Sequence, residues 1–140
     1  MISNSNSNSN GSKEIAGGGR SRSELITNGD FSDGQTGWIV APTVTIRKGQ
    51  AAIGPAVRPP YAAIAQEILE DEVSYDVIID VVAVPEEGRG DVRDGSNTIV
   101  YSIVSTGQKS FSFTNSRGLL FSITSLSLGL VISNVSVKKQ

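Results

Sequence analysis

The chain has 140 residues, a net charge of −2, and neither cysteine nor histidine. Its length suits one domain with a hydrophobic core. The missing cysteine excludes disulfides and thiol catalysis, and the missing histidine removes the usual general base and the commonest metal ligand. The slightly acidic balance gives no general attraction to nucleic acid. We therefore expect a non-enzymatic protein that has no nucleic-acid partner.

Residues 1–24 differ in composition from the remainder of the chain. Ser and Asn alternate from Ser3 to Asn10, a run of glycines follows, and apolar residues are rare. Such a segment cannot offset the entropy lost on ordering by burying its own side chains. It is either a flexible linker or a docking arm, in which Ile15, Arg20 and Arg22 would contact a partner. It contains no apolar signal-peptide core, so we expect production in the cytoplasm.

A turn-rich stretch framed by two aromatic rings opens the predicted domain, residues 25–140. Glycines beside Asn and Asp are typical of tight turns, because glycine accepts a positive φ. Phe31 and Trp38 are large apolar residues on either side of these turns. The stretch therefore predicts a loop that two buried rings attach to a core. The motif consists of Asn28, Gly29, Asp30, Phe31, Gly34, Gly37 and Trp38.

Short apolar stretches alternate with turn residues from Leu25 onward, which predicts an all-β antiparallel sandwich. The clearest stretch is Val73–Val84, where every second residue from Val73 to Ala83 is apolar. Leu119–Val137 has no charge, but seven Ser, Thr and Asn residues make it too polar for a membrane span. The predicted strands are Leu25–Thr27, Thr43–Arg47, Gln50–Ile53, Ala62–Ile68, Val73–Val84, Thr98–Val104, Ser110–Phe113, Leu119–Thr124 and Gly129–Val137.

Four segments, in this order, resemble the carbohydrate-binding-module families that have a galactose-binding-like jelly roll. They are the loop 28–38, Ala65–Ile68 with Tyr75–Val77, Phe111–Thr114 and Val131–Val137. The resemblance implies a jelly-roll sandwich and, in its relatives, glycan binding. Sugar rings stack on exposed aromatic side chains.

Two tyrosines are the candidates for such stacking. Tyr61 and Tyr101 are the aromatic residues that neither the loop nor a predicted core position accounts for. Each is a candidate for a glycan contact or for a protein interface.

The resemblance also implies a structural calcium site, which this chain matches poorly. Relatives often carry Glu at the position of Ser32 and Asp at the position of Ser133. Calcium requires several charged or carbonyl oxygen ligands, so the two replacements argue against it. Asp30 is the remaining carboxylate candidate, and we expect no other cofactor.

Similar domains also recur in bacteriophage decoration and tail proteins. Together with the missing export signal, this favours a virion structural or accessory protein that is assembled in the host cytoplasm. Its arm would dock on a larger assembly such as a capsid. The alternative is an extracellular carbohydrate-binding module. Apolar residues opposite the predicted core positions favour a homo-oligomer, most simply a trimer. They are Ile78, Val82, Val84, Val100 and Val104.

Other polar motifs are interpreted as solvated loops. Arg89-Gly90-Asp91 spells the tripeptide that integrins recognise, in a glycine-rich stretch predicted to form a hairpin tip. Short motifs of this kind occur often by chance. Carboxylates cluster at Glu70–Glu72, Glu86–Glu87 and Asp91–Asp94, but no pattern places two of them across a cleft as hydrolysis requires. No catalytic residue is predicted.

Overall fold

A computed structural model describes residues 23–54, 63–86, 89–125, 127 and 129–140. The described residues form strands, turns and loops, and among them is no helix that could cross a membrane. The ten strands of these ranges are β1 (Ile39–Val40), β2 (Thr45–Arg47), β3 (Gln50–Ile53), β4 (Ile64–Glu67), β5 (Ser74–Ala83), β6 (Gly90–Arg93), β7 (Ile99–Ile103), β8 (Gly107–Thr114), β9 (Leu120–Ser125) and β10 (Leu130–Lys139).

The strands form two five-stranded sheets that pack as a sandwich. The first sheet has the order β1-β4-β9-β6-β7, and the second has the order β2-β3-β10-β5-β8. The paired strands run antiparallel. Apart from the consecutive pairs β2–β3 and β6–β7, neighbours in each sheet are not consecutive in the sequence, so the chain crosses repeatedly between the sheets. The predicted all-β antiparallel sandwich is confirmed.

The core lies between the sheets and follows the period-two pattern of the sequence. Tyr75, Val77 and Ile79 of β5 are at most 1% exposed. Phe113 of β8 lies 5.6 Å from the Tyr75 ring and 6.5 Å from Phe121 of β9, measured between centroids, so aromatic contacts connect the two sheets. Successive side chains of a strand point to opposite faces, so this core also fixes which residues point outward.

The predicted first strand, Leu25–Thr27, is wrong, because this segment is an extended connection. The Leu25 N–H donates to the Val137 carbonyl at 2.9 Å. The Glu24 carboxylate accepts hydrogen bonds from the Val137 N–H at 2.8 Å and the Ser136 hydroxyl at 2.5 Å. Among the described residues, these contacts with β10 begin at Glu24, one residue before the predicted boundary. The docking-arm residues Ile15, Arg20 and Arg22 lie outside the described residues.

The apolar residues behind the predicted trimer do not form one patch. Val84 and Val100 are partly buried and pack against the core. Ile78 and Val82 are 37% and 45% exposed on β5, where Asp80 lies between them. Val104 follows β7 in the other sheet and is 67% exposed. Their alternation in the sequence placed them opposite the core, but the two sheets separate them in space.

Candidate functional site

The loop 28–38 is a structural element with its rings turned inward. Phe31 is 1% exposed and Trp38 is 7% exposed, and their centroids lie 5.3 Å apart. The Trp38 indole N–H donates to the Asn28 carbonyl at 3.0 Å. Phe31 has a φ of +57°, an unusual value for a bulky residue, and its buried ring compensates for that conformation. Neither ring offers a face for stacking on a sugar.

Asn28 closes this loop through its side chain. Its amide donates to the carbonyls of Gly34 at 2.9 Å and Thr36 at 3.0 Å, and its oxygen accepts from the Asp33 N–H at 3.0 Å. Gly29 is required here, because a Cβ at this position would lie 2.2 Å from the Val135 carbonyl oxygen. The turn chemistry of the motif thus serves to attach the loop to β10.

Asp30, the candidate metal ligand, is an exposed residue of the same loop. The Ser32 N–H donates to its carboxylate at 3.0 Å and lowers the pKa of Asp30 below its ordinary value. Within the described ranges, no three or more Asp and Glu side chains converge where a metal ion could bind.

The second region of interest is β6, which the sequence assigned to a hairpin tip. Gly90–Arg93 is a strand between β9 and β7 in the first sheet. Val92 is fully buried and points into the core. Gly90 lies over the core as well, because a Cβ there would lie 2.7 Å from Leu130 Cδ2. Arg89, Asp91 and Arg93 therefore alternate on the outer face, the face directed away from the second sheet.

Asp91 forms the centre of this arrangement. Its side chain is only 1% exposed, although it lies on the outer face. Arg89 Nε donates to Asp91 Oδ1 at 2.7 Å, and Arg93 Nη2 lies 3.8 Å from Asp91 Oδ2. The prediction of an exposed Arg-Gly-Asp tip is therefore wrong, because the aspartate is buried and paired with the arginine of its own tripeptide.

Arg93 is only partly satisfied by its neighbours. Its Nη1 donates to the Asn97 carbonyl at 3.1 Å. Its Nε is shielded from water and has no hydrogen-bond partner among the described residues. Its side chain as a whole remains 23% exposed.

Small side chains lie beside this charged group on the outer face. Ser122 of β9 is opposite Arg93 on one side and Ala65 of β4 on the other. Thr124 is opposite Asp91. Ala65, Ser122 and Thr124 are at most 6% exposed, so other atoms of the protein cover most of their surface. We call the set Ala65, Asp91, Arg93, Ser122 and Thr124 the polar floor of the first sheet.

The turn after β6 holds one end of this strand in place. The Asp94 carboxylate accepts from the Ser96 N–H and the Thr98 N–H, both at 3.0 Å, and from the Ser96 hydroxyl at 2.7 Å. Burial acts to raise the pKa of Asp94, but the hydrogen bonds from Ser96, Thr98 and Ser116 outweigh it and hold that pKa below its ordinary value. Asn97, whose carbonyl accepts from Arg93, belongs to this turn.

The two candidate tyrosines are not brought together within the described residues. Tyr101 of β7 is half-buried and stacks on Phe111 of β8, with centroids 4.2 Å apart and planes at 4°. That contact connects the edge strands of the two sheets and uses one face of the tyrosine ring. Tyr61 lies outside the described residues.

Comparison with known proteins supports the fold. No protein-family model matches the chain, and no curated protein does either. A solved CBM4 carbohydrate-binding module has a TM-score of 0.54 at 16% identity, over 82% of this chain and 99% of that one. At this identity the likeness is evidence for the fold alone. The chain therefore has a jelly-roll sandwich like that of carbohydrate-binding modules.

Two further solved structures are more distant. The CBM22-1 xylan-binding domain of Paenibacillus barcinonensis Xyn10C has a TM-score of 0.43 at 14% identity, over 86% of this chain and 96% of that one. The enzymatically active domain of bacteriophage CBA120 tailspike protein 4 has a TM-score of 0.42 at 12% identity, over 84% of this chain and 21% of that one.

Proposed function

We propose that this chain is a non-enzymatic glycan-binding module and that its glycan lies across the polar floor of the first sheet. The observation that carries the proposal is the alternation of Arg89, Asp91 and Arg93 along β6 and the residue before it, beside the small residues of β4 and β9. Guanidinium and hydroxyl groups are the donors and acceptors that sugar hydroxyls require.

The outer face of the second sheet is a weaker candidate, because neighbouring side chains already satisfy its aspartates. Asp76 accepts from the Ser112 hydroxyl at 2.6 Å, and Asp80 accepts from the Gln108 amide at 3.1 Å. In contrast, the hydroxyls of Ser122 and Thr124 have no hydrogen-bond partner among the described residues. Unused polar groups are what a polar ligand can bind.

Aromatic stacking contributes little to this site within the described ranges. The polar floor contains no aromatic residue, and Tyr101 already stacks on Phe111. Binding must therefore depend mainly on hydrogen bonds and charge, with Tyr61 as the remaining candidate for a stacking platform.

Nuclear magnetic resonance titration with soluble oligosaccharides tests the proposal. We expect amide shift changes concentrated on β4, β6 and β9. The strands β5 and β8 of the second sheet provide the internal control and should stay unchanged. Shift changes centred on the second sheet, or none with a broad panel of neutral and acidic oligosaccharides, would overturn the proposal.

A virion accessory role is the second candidate, and the attachment of Glu24 favours it. Hydrogen bonds to Ser136 and Val137 fix the point where residues 1–22 join the domain, beside β10. An arm leaving from a fixed point can dock on a larger assembly while the sandwich projects outward, with Ile15, Arg20 and Arg22 as its contacts. Such a protein would be assembled with the particle in the host cytoplasm.

Deleting residues 2–22 while retaining Glu24 tests this second role. The truncated protein should fold with an unchanged melting temperature but no longer bind its particle. Full occupancy of the particle by the truncated protein would contradict the docking role of the arm.

A further inference from the structure

We infer that the free edge of β8 binds a second copy of this chain, by antiparallel pairing of the two β8 strands around Phe111. The surface in question is a row of backbone groups at one side of the second sheet, away from the polar floor of the first sheet. Pairing there would join the second sheets of two copies into one continuous sheet. It is independent of the proposed glycan binding.

Among the described strands, β8 is the sheet edge that has the least protection against pairing. The edges of the two sheets are β1, β7, β2 and β8. β1 has two residues and β2 has three, and the pairing of β7 with β6 shifts register beside Arg93. Short strands and bulges are devices that keep an edge from accepting another strand. β8 has eight residues and pairs with β5 without a register shift.

The backbone of β8 directs alternate residues toward the free edge. The Asn115 N–H donates to the Val73 carbonyl at 2.9 Å, in the same register that places Phe113 opposite Tyr75. Hydrogen-bonded residues alternate along an antiparallel pair, so the odd-numbered residues of β8 bond to β5. The even-numbered residues direct their N–H and C=O groups away from β5, where no other described strand pairs with them. They are Gln108, Ser110, Ser112 and Thr114, and all four are exposed.

Side chains on the outer face hold β8 against β5 and leave its edge clear. The Gln108 amide donates to Asp80 at 3.1 Å, and the Ser112 hydroxyl donates to Asp76 at 2.6 Å. Both bonds run back toward β5 and not across the free edge. The edge is therefore fixed before a second strand arrives, which lowers the entropic cost of pairing.

A second copy is the partner that fits, because β8 is its own complement when it is reversed around Phe111. Ser110 then lies opposite Ser112 of the second copy, and Gln108 lies opposite Thr114. Each of these residues can exchange both of its backbone hydrogen bonds with the residue opposite it. Sliding one strand by two residues in either direction would leave one of the four without a partner in β8. Such a self-complementary contact has twofold symmetry and closes as a dimer.

The inner face of β8 agrees with this register. Phe111 is half-buried and stacks on Tyr101, and at the twofold axis it would meet Phe111 of the second copy as an aromatic cross-strand pair. Lys109 is the charged residue of this face, and its Nζ donates to Ser105 Oγ at 2.7 Å. Lysine on an edge opposes pairing where it meets a like charge. Here Lys109 lies opposite Phe113, so the two lysines stay about 13 Å apart, beyond the screening length of physiological salt.

Sedimentation of the full chain over a series of concentrations tests the pairing. We expect the mass to rise from 14.7 kDa toward twice that value as the concentration increases. Ser112→Pro removes an N–H that faces away from β5, a position where an edge strand accepts proline. It should weaken dimerisation by at least about tenfold, because the symmetric contact loses two hydrogen bonds.

Ser112→Ala is the matched control, because it loses the same hydroxyl but retains the N–H. It should dimerise like the wild type. Circular dichroism of both variants establishes that each is folded, and the wild-type concentration series requires no variant at all.

Single cysteines test the register, since the chain has no cysteine of its own. Opposite residues of a hydrogen-bonded pair lie about 5.5 Å apart between Cα atoms, a separation that a disulfide spans. A mixture of Ser110→Cys and Ser112→Cys should therefore cross-link under mild oxidation faster than either variant alone. Thr45→Cys on the edge strand β2 is the control and should cross-link slowly.

Four results would overturn the inference. They are a 14.7 kDa species at every concentration, a trimer, equal weakening by Ser112→Pro and Ser112→Ala, and equal cross-linking in the mixture and in the single variants. Concentration-dependent dimers that Ser112→Pro alone dissociates, with fastest cross-linking in the mixture, would establish β8 as the interface.

Discussion

The aspartates on the two outer faces of the sandwich differ in their exposure to water and in their partners. On the second sheet, Asp76 and Asp80 stay partly exposed and bond to neutral neighbours. On the first sheet, Asp91 is almost completely buried and paired with two arginines. The aspartates of one outer face are therefore partly solvated, whereas the aspartate of the other is withheld from water.

Withdrawing charge from water is costly unless the charge is paired, so the first sheet must gain something from its arrangement. Stability is a poor explanation, because ion pairs of this kind often contribute little net stability compared with apolar replacements. A preorganised guanidinium group is useful for binding, because its position is fixed before the ligand arrives. The contrast between the faces thus favours the first sheet as the binding surface.

Asp91→Ala should have the largest effect of the substitutions that compare the faces. It leaves two arginines facing each other without their shared carboxylate, and we expect a loss of about 3–4 kcal/mol in the free energy of unfolding. Asp80→Ala, the matched change on the second sheet, should cost less than about 1 kcal/mol. Urea unfolding of both variants measures the difference, and equal losses would remove the distinction between the faces.

Gly90→Ala tests how tightly β6 lies on the core. The added methyl group would meet Leu130 Cδ2 at 2.7 Å, and Leu130 is fully buried, so we expect a loss of about 2 kcal/mol. Leu130→Val shortens the side chain and so removes the Cδ2 atom that the new methyl group would meet. The double variant should therefore be more stable than the sum of the single losses predicts. Simple additivity in thermal unfolding would contradict the packing of β6 described above.

The strand β6 also shows why the sequence predicted one part of the molecule and not the other. β3 was predicted with its observed bounds, and β5 to within one residue at each end because every second residue of β5 is apolar. In β6 the inward positions are Gly90 and Val92, so only one apolar side chain of this strand indicates a core position in the sequence. The two-residue β1 is too short to give any pattern.

The candidate site was missed for the same reason. Glycines and acidic residues flank β6 on both sides and indicate turns, so the sequence predicts a hairpin tip at Arg89-Gly90-Asp91 and solvated loop carboxylates at Asp91–Asp94. The available signal was the spacing of Arg89, Asp91 and Arg93, which alternate with Val92 between two of them and therefore indicate a strand. Burial of Asp91 depends on β9 and β7 lying on either side, which are pairings that no local pattern contains. In contrast, the loop 28–38 was predicted, because its turn residues and its two buried rings are close together in the sequence.

Acid unfolding examines the turn that holds β6. Because the folded-state pKa of Asp94 lies below its ordinary value of 3.8, its charge stabilises the fold above that value. This contribution declines as the pH falls below about 4 and is lost below the folded-state pKa. Asp94→Asn should cost about 1–2 kcal/mol at pH 7, since a neutral acceptor binds the same donors more weakly. The difference between variant and wild type should shrink in acid, and a constant difference would contradict the role assigned to the charge.

Replacing the exposed apolar residues of the second sheet should have the smallest effect. Ile78 and Val82 already contact water and have Asp80 between them, so the double change to Ser should alter stability by at most about 0.5 kcal/mol.

Two separated side chains are too few for a stable interface, which buries about 800 Å² on each partner. The trimer predicted from the sequence stays a prediction, and we expect the double variant to sediment like the wild type, with Val104→Ser as its counterpart in the first sheet. A wild-type trimer that the double change reduces to the 14.7 kDa monomer would instead make the second sheet the interface. The first sheet would then remain free for the proposed glycan binding.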